Sequence, residues 1–478
     1  MRVFLKTISI FVFATLLIGG MIGCDEQGPN TPDESGTPEP IPEPIPPSPP
    51  TPAPPTDPSP DDGIINIYSF TDEVPNIMNA YKELNPDFDY TFQMNIIPTT
   101  DASYQPALDS ALNAGGSNIP DIYCVESAFA LKYTQGDYHH FATPYEDLGI
   151  TVDVKLEEAD IAQYTIDIGT NPNRELLGLG YQATGGALIY RRSIANDVWG
   201  TDDPAAIKNK IGPTWENFWE AAEDLKAKGY GIVSGDGDLW HVIEGSSEHG
   251  WIVDQKLHID PDREAFLDMA KRLKDNDYSN NTMDWSDPWF ADMRNAGEKQ
   301  IFGFFGPAWL INYVMADNSG GSAPGEGTYG DWAVCEPPVG FFWGGTWILV
   351  NTFSEHKEAL KPIIEWITLD SSNTGLQYYW ANGTLDGLGG IKDTVASSTV
   401  MNKSNGTLDF LGGQNMFEIF VPAGEYATGT NKTPYDEVIN MHWRDVTRAY
   451  TAGEKSRDEA IADFKQLVFD DLGIEATP

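Results

Sequence analysis

From residue 64 onward, apolar positions alternate or recur with a helical period, and this pattern sets out the elements before anything else does. Ile64-Ile-Asn-Ile-Tyr-Ser-Phe70 reads as a strand. Thr71 and Asp72 cap a helix whose apolar positions are Val74, Ile77, Met78, Tyr81 and Leu84. Tyr90, Phe92, Met94 and Ile96 alternate as a second strand, and a short helix runs from Ser103 to Ala114, stopped by Gly115-Gly116. Asp121-Ile-Tyr-Cys-Val125 is a third strand ending in Glu126-Ser127. A βαβαβ order of this kind predicts a parallel sheet with a ligand edge at the strand C-termini, where Asp72 and Glu126 both fall. For Asp72 a plain N-cap competes with a ligand contact.

Further along, Gly185-Gly186 precede the apolar run Ala187-Leu-Ile-Tyr190, which suggests a crossing between two lobes. Pro213-Thr214-Trp215-Glu216 opens a helix capped by Thr214 and ended by Gly229, with Trp215, Phe218, Trp219, Ala222 and Leu225 on one core-facing side. Near the end, Ser456 and Glu459 form a capping box, with Ile461, Phe464, Leu467 and Val468 facing inward.

The aromatic stretch from Trp289 to Trp347 carries the candidate chemistry. A helical run, 290–296, is closed by Gly297; the apolar strand Gln300–Phe305 follows; then Gly306-Pro307-Ala308-Trp309 begin a new apolar run. Pro307 suits the first turn of a helix, so Trp309 is expected at a helix N-terminus just past a strand's C-terminal end, where open α/β sheets bind ligands. Phe341-Phe-Trp-Gly-Gly-Thr-Trp347 repeats the idea, with aromatics around a glycine pair that permits close backbone approach. Any one tryptophan here can equally be core, but together they point to a ligand-facing surface that includes Trp309, Trp343 and Trp347.

The first 62 residues have no such pattern. Arg2 and Lys6 precede the apolar run Ile8–Ile22, too short to span a membrane as a helix and suited to a secretory signal over 1–23. It ends in Met21-Ile22-Gly23-Cys24, which resembles a bacterial lipobox with Cys24 as the lipidated residue; Asp25 resembles the signal that retains such proteins on the inner membrane. Residues 24–62 are proline-rich and acidic and cannot bury a core, so they read as a tether reaching on the order of 100 Å. The implied location is the cell envelope, at the outer face of the cytoplasmic membrane.

Charge narrows the partners. The 478 residues hold 29 Lys and Arg against 72 Asp and Glu, a formal charge of −43. Signal cleavage would remove two bases and no acid. That argues against nucleic acid or anionic lipid as a partner. The remaining cysteines, Cys124 and Cys335, lie in apolar strand-like runs and are expected as two buried thiols.

Taken in order, these segments resemble the extracellular solute-binding proteins of ABC importers, most of all the sugar-binding branch that includes the maltodextrin-binding proteins. The resemblance is carried by the lipobox and strand 64–70, Pro120-Asp121-Ile122, Gly186–Tyr190 and Pro213–Glu216. It continues through Gly297-Glu298-Lys299, Gly306–Trp309, Gly344-Gly345 and Gly453–Ala460. It implies an α/β, type II periplasmic-binding-protein fold of two lobes joined by a hinge. Lobe 1 would comprise 63–183 and a return segment 338–372; lobe 2 would comprise 184–337, with 373–478 completing it and adding C-terminal helices. It also implies a cleft faced by Phe70, Asp72, Glu126, Asp238, Trp240 and Trp309, with Tyr181 and Gln182 at the hinge edge. The expected partners are a carbohydrate, with an oligosaccharide favoured, and the permease subunits. A monomer without cofactor, metal or catalysis is expected. Aromatic platforms suit the apolar faces of sugar rings, and carboxylates and amides suit the hydroxyls; the chain has 14 Trp. Departures from the family pattern are Glu73, where some maltodextrin binders carry a basic residue, Ala308 between Pro307 and Trp309, and the Gly-rich insert Asn318–Gly330.

Three other readings compete. A polyamine binder of the same fold would need acids converging on ammonium groups. A surface carbohydrate-active enzyme would need carboxylates such as Asp236 and Asp238, or Glu157 and Glu158, across a scissile bond. A metal centre at His241, Glu244, Glu248 and His249 lacks the His-Glu-x-x-His spacing, and no nucleophile elbow supports a serine triad.

Overall fold

A computed structural model describes residues 63–99, 103–116, 119–385 and 390–477. The expected signal, Cys24 and the tether lie outside the described residues. Everything described belongs to one compact unit that begins at Pro58. Among these residues no helix is long and apolar enough to cross a membrane.

Two sheets organise the unit. The first contains β1 (Ile64–Ser69), β2 (Thr91–Ile96), β3 (Ile122–Glu126) and β4 (Gly178–Gly180). The second contains β5 (Ala187–Arg191), β6 (Gly303–Gly306) and β7 (Trp332–Cys335). A later strand, β8 (Thr346–Val350), returns to the first sheet. There β1 pairs in parallel with β2 and β3, as the βαβαβ pattern predicts. β8 is inserted antiparallel between β3 and β4, with Ile348 opposite Cys124 and Leu179. In the second sheet β5 is central and antiparallel to both β6 and β7. The chain thus leaves the first sheet after Gly180 and enters the second at Ala187, the crossing that Gly185-Gly186 suggest.

Strand parity explains how one sheet serves two cores. In β3, Ile122 and Cys124 face one apolar cluster while Tyr123 and Val125 face another. In β5, Ile189 faces the first of these clusters, whereas Leu188 and Tyr190 face a third. The shared cluster also takes in Leu376, Trp380, Val400 and Phe417, so the helices after β8 pack into a core common to both sheets. Because buried strands have no solvent face, their sequences read as apolar runs rather than alternations. Cys124 and Cys335 are buried free thiols, as expected, and lie in different sheets.

The helix Trp215–Ala227 has its Thr214 cap, whose hydroxyl accepts from the Asn217 N–H. Phe218, Trp219 and Leu225 are buried, but Trp215 is only half-buried on the rim. The deeper aromatic centre of the same apolar cluster is Trp251. Its ring is fully buried between Trp240, Trp443 and Phe464 at centroid distances of 6.4, 5.6 and 5.3 Å. The Arg263 guanidinium lies 4.5 Å over the ring, and Nε1–H donates to Asn440 Oδ1 at 2.7 Å. These contacts tie the helices Asp236–Ser246, Pro261–Asp275, Asp436–Ala452 and Arg457–Leu472 together. The last of these has the capping box of Ser456 and Glu459 that its sequence predicts.

Candidate functional cleft

β3 ends at Glu126, half-buried at the C-terminal edge of the first sheet. Its carboxylate accepts from the Ala128 N–H at 2.8 Å and from the Ser127 hydroxyl at 2.7 Å. Burial raises its pKa above the ordinary value, the two hydrogen bonds oppose this, and the Glu244 and Glu437 charges push it further up. Glu126 lines a cleft of about 330 Å³. The remaining walls are Trp240, His241 and Glu244 from one helix, the loop Phe342-Trp343-Gly344, and a polar stripe from the helix Asp436–Ala452. That stripe includes Asp436, Asn440, Arg444 and Arg448, spaced four apart and so on one helical face.

The polar groups of the cleft are held by one another. Lys432 Nζ lies 2.7 Å from Glu244 Oε1, and Asn440 Nδ2 donates to the same oxygen at 3.0 Å. Burial would raise the Glu244 carboxyl, but Lys432 outweighs it and the net pKa is lowered. Asp284 sits between His241, at 3.2 Å, and Arg444, at 3.2 Å. Burial opposes its charge, yet the Arg444 guanidinium and then His241 hold this carboxyl far below the usual range. Gly237 makes the arrangement possible, because a Cβ there would fall 1.9 Å from Asp284 Oδ1.

Aromatic rings continue the wall. His241 stacks on Trp343 with centroids 3.5 Å apart and planes 13° apart. Trp309 meets Trp343 edge-on at 4.7 Å and donates its Nε1–H to Trp343 O at 3.0 Å. Gly344, at φ 77°, permits this approach, since a Cβ on it would lie 3.1 Å from Trp309 Nε1. Trp309 follows β6 as expected, but the segment it begins is a π-helix, Leu310–Met315, rather than an α-helix. Trp285 is parallel to Trp309 at 6.1 Å, 54% exposed, and held at φ 64°, a left-handed conformation unusual for a bulky residue.

The structure sorts the sequence-derived candidates. Glu126, Trp240 and Trp343 line one cleft, and Trp309 adjoins it through Trp343. Trp347 is corrected: it is fully buried in β8, with Nε1–H donated to Thr165 O at 2.9 Å, so it belongs to the core of the first lobe. Asp238 is corrected likewise: it is buried, and its Oδ2 accepts the Ser234 and Gly235 N–H groups, each at 3.1 Å, as the cap of its own helix. Phe70 packs edge-on against Tyr104 and Phe129. Asp72 is exposed at the helix start, and its side chain makes no capping bond. Tyr181 and Gln182 are buried within the crossing. Of the four metal candidates, only His241 and Glu244 line the cleft.

A second polar cluster forms at the crossing. Tyr181 donates its hydroxyl to Glu73, and Tyr313, from the segment after Trp309, also bonds to Glu73. Asp393 is fully buried nearby, and its Oδ1 accepts the Thr394 N–H at 2.7 Å. Burial, followed by the charge of Glu73, pushes the Asp393 carboxyl up to about 8, against the opposing hydrogen bond from Thr394. The folded protein therefore keeps a proton that an ordinary, solvated Asp carboxyl of the unfolded chain loses near 3.8. The contribution of Asp393 to stability therefore falls as pH rises from about 4 to 8, with a limiting slope of about 1.4 kcal/mol per pH unit for one proton. Asp393→Asn is expected to remove this slope. Urea midpoints at pH 5 and pH 8 test it, and parallel wild-type and variant curves would refute the assignment.

Residues 76–404 match the bacterial extracellular solute-binding protein family. The chain belongs to this family. Among curated proteins none matches it in sequence. Its fold is shared with a crystal structure of an extracellular solute-binding protein family 1 member, at TM-score 0.67 and 17% identity, covering 85% of this chain and 99% of that one. It is shared with the galacto-N-biose-/lacto-N-biose I-binding protein of an ABC transporter from Bifidobacterium longum, in complex with lacto-N-biose, at TM-score 0.63, 15% identity and coverage of 87% and 98%. The sugar-binding protein MalE from Xanthomonas citri matches at TM-score 0.63 and 15% identity, with coverage of 86% and 97%. The two-lobed solute-binding fold implied by the sequence is therefore the fold of this family.

Proposed function

We propose that the protein captures a carbohydrate, favouring an oligosaccharide, between its lobes and delivers it to an ABC permease, tethered to the envelope through a lipid on Cys24 and without catalysing any reaction. The observation that carries this reading is the adjacency of two surfaces. The tryptophans Trp285, Trp309 and Trp343 form an aromatic wall, and beside it Glu126, Glu244, Asn440 and Arg444 form a hydrogen-bonding wall. Sugar rings present apolar C–H faces to the first and hydroxyls to the second. In the cleft, Glu244 is tied to Lys432 and Asn440, and Glu126 to the Ser127 hydroxyl and the Ala128 N–H. Such groups suit ligand orientation better than proton transfer.

Calorimetric titration of residues 63–478 with a panel of mono- and oligosaccharides, with spermidine alongside, tests the proposal. Saturable heat with at least one saccharide, and a saccharide recovered at its original length, is expected. Heat with spermidine alone would replace this reading with polyamine binding, and shortened saccharides would replace it with an enzyme.

A further inference from the structure

The turn after the helix Asp236–Ser246 comes up against the start of the helix Pro261–Asp275. Three side chains meet there. His249, His258 and Asp260 each offer one ligand atom, and these atoms all lie within 4.8 Å of one another. His249 Nδ1 is 3.4 Å from Asp260 Oδ2, and the two imidazole rings are 5.4 Å apart between centroids. We propose that His249, His258 and Asp260 form a binding site for a borderline divalent cation of the zinc type, with water completing the coordination.

The framework around the three groups is fixed. Asp260 is 1% exposed; its Oδ2 accepts the His249 N–H at 3.0 Å and its Oδ1 the Asp262 N–H at 2.9 Å. The His258 N–H donates to Trp251 O at 2.7 Å. Next to it, Leu257 donates its N–H to Glu475 O and accepts from the Thr477 N–H. Gly250 lies against Asn431 and Thr433 so closely that a Cβ would fall 2.9 Å from Thr433 Cγ2. Only the His249 ring is substantially exposed, with 49% of its side chain open to solvent. It can therefore admit an ion and swing inward.

Donor chemistry sets the class of cation. Two imidazole nitrogens and one carboxylate oxygen suit Zn²⁺, Ni²⁺ or Cu²⁺ and do not suit Mg²⁺ or Ca²⁺, which take all-oxygen shells. Tetrahedral Zn²⁺ with ligands at about 2.0–2.2 Å needs donor atoms roughly 3.4 Å apart; His249 Nδ1 and Asp260 Oδ2 already have that spacing, and the other pairs lie within 4.8 Å. Glu248 and Asp262 lie near enough to interact electrostatically and add negative charge beside the three groups. A bound ion would clip the turn that ends the cleft-lining helix Asp236–Ser246 to the next helix of the lobe.

The test is calorimetric titration of the purified, chelator-treated full chain with ZnCl2, and with MgCl2 as the comparison, plus melting curves with and without Zn²⁺. One zinc equivalent, no magnesium heat and a raised melting temperature are expected. His249→Gln and His258→Gln should each weaken zinc binding by about a hundredfold or more. His140→Ala, at an exposed histidine elsewhere, should leave it unchanged. His249→Gln is the decisive variant, because an exposed ring can be replaced without unfolding the lobe. If the wild-type chain takes up no zinc at millimolar concentration, or His249→Gln binds it as tightly as wild type, the site does not exist.

Discussion

Trp309→Ala is expected to weaken saccharide binding by roughly tenfold to a few hundredfold while the fold persists. The ring is half-buried, hydrogen-bonded to Trp343 O and flanked by the parallel ring of Trp285. A sugar face laid against it would be stabilised by about 25 cal/mol for each Å² of apolar surface removed from water. Stacking geometry adds ~1 kcal/mol, and ~1.4 kcal/mol is a factor of ten. Trp309→Phe keeps the platform and loses only the N–H, so it should lie between the alanine variant and wild type. Titrations and melting curves of the three proteins decide the matter. Wild-type affinity in the alanine variant, or its outright unfolding, would remove Trp309 from the binding surface.

The largest effect on stability is expected at Trp251. Truncating a fully buried tryptophan costs ~3–5 kcal/mol, because lost transfer energy and the residual cavity add. Here the cavity would open between Trp240, Trp443 and Phe464, on three different helices, so no single side chain can relax into it. Trp251→Ala would also strip Asn440 of its donor and Arg263 of the ring beneath it. A fall in the urea midpoint of the second lobe is the expected reading. A change below about 1 kcal/mol would mean that the Trp251 packing is not the centre of that core. Trp215→Ala, on the rim of the same lobe, should cost distinctly less, since its ring is only half-buried.

The contrast between Trp215 and Trp251 shows where sequence patterns lose resolution. Helical spacing places Trp215 on the apolar side of its helix, but not at the edge of that side. Trp251 stands in a short turn with no periodicity at all, and its centrality comes from helices up to about two hundred residues away in sequence. The strands at 64–126 were legible, and so was the parallel order of the first three, because βαβ units are local. The capping box at Ser456 and Glu459 was legible for the same reason.

Trp343 and Trp347 show the limit within a single heptapeptide. Gly344 and Gly345 adopt φ of 77° and 116°, which breaks the relation between position and face. Trp343 consequently reaches the cleft while Trp347 turns into the sheet core. Asp238 carries the same lesson: an acid beside Trp240 invites a ligand role, yet it caps its own helix. The residues that sequence reasoning left out of the site had two kinds of signal. Asp436, Asn440, Arg444 and Arg448 form a polar stripe at intervals of four, visible in the sequence once a helix is assumed. The cluster of Glu73, Tyr313 and Asp393 joins segments hundreds of residues apart and has no local signal; Glu73 read only as a departure from a family pattern.

The position of β8 governs how the chain comes to be folded. The strand lies between β3 and β4, so the first sheet has a gap in its middle until residue 346 has been made. By then every strand of the second sheet has been synthesised. β1, β2 and β3 can associate early because they neighbour one another, but β4 has nothing to pair with until β8 arrives. Closing that gap pairs β8 with residues 220 to 228 positions earlier in β3 and 167 to 171 positions earlier in β4, and such non-local pairing is slow. The second sheet needs nothing beyond Cys335 and so can assemble first. For the same reason the first lobe cannot be cut out as one continuous stretch of polypeptide: a fragment ending before β8 contains an incomplete sheet.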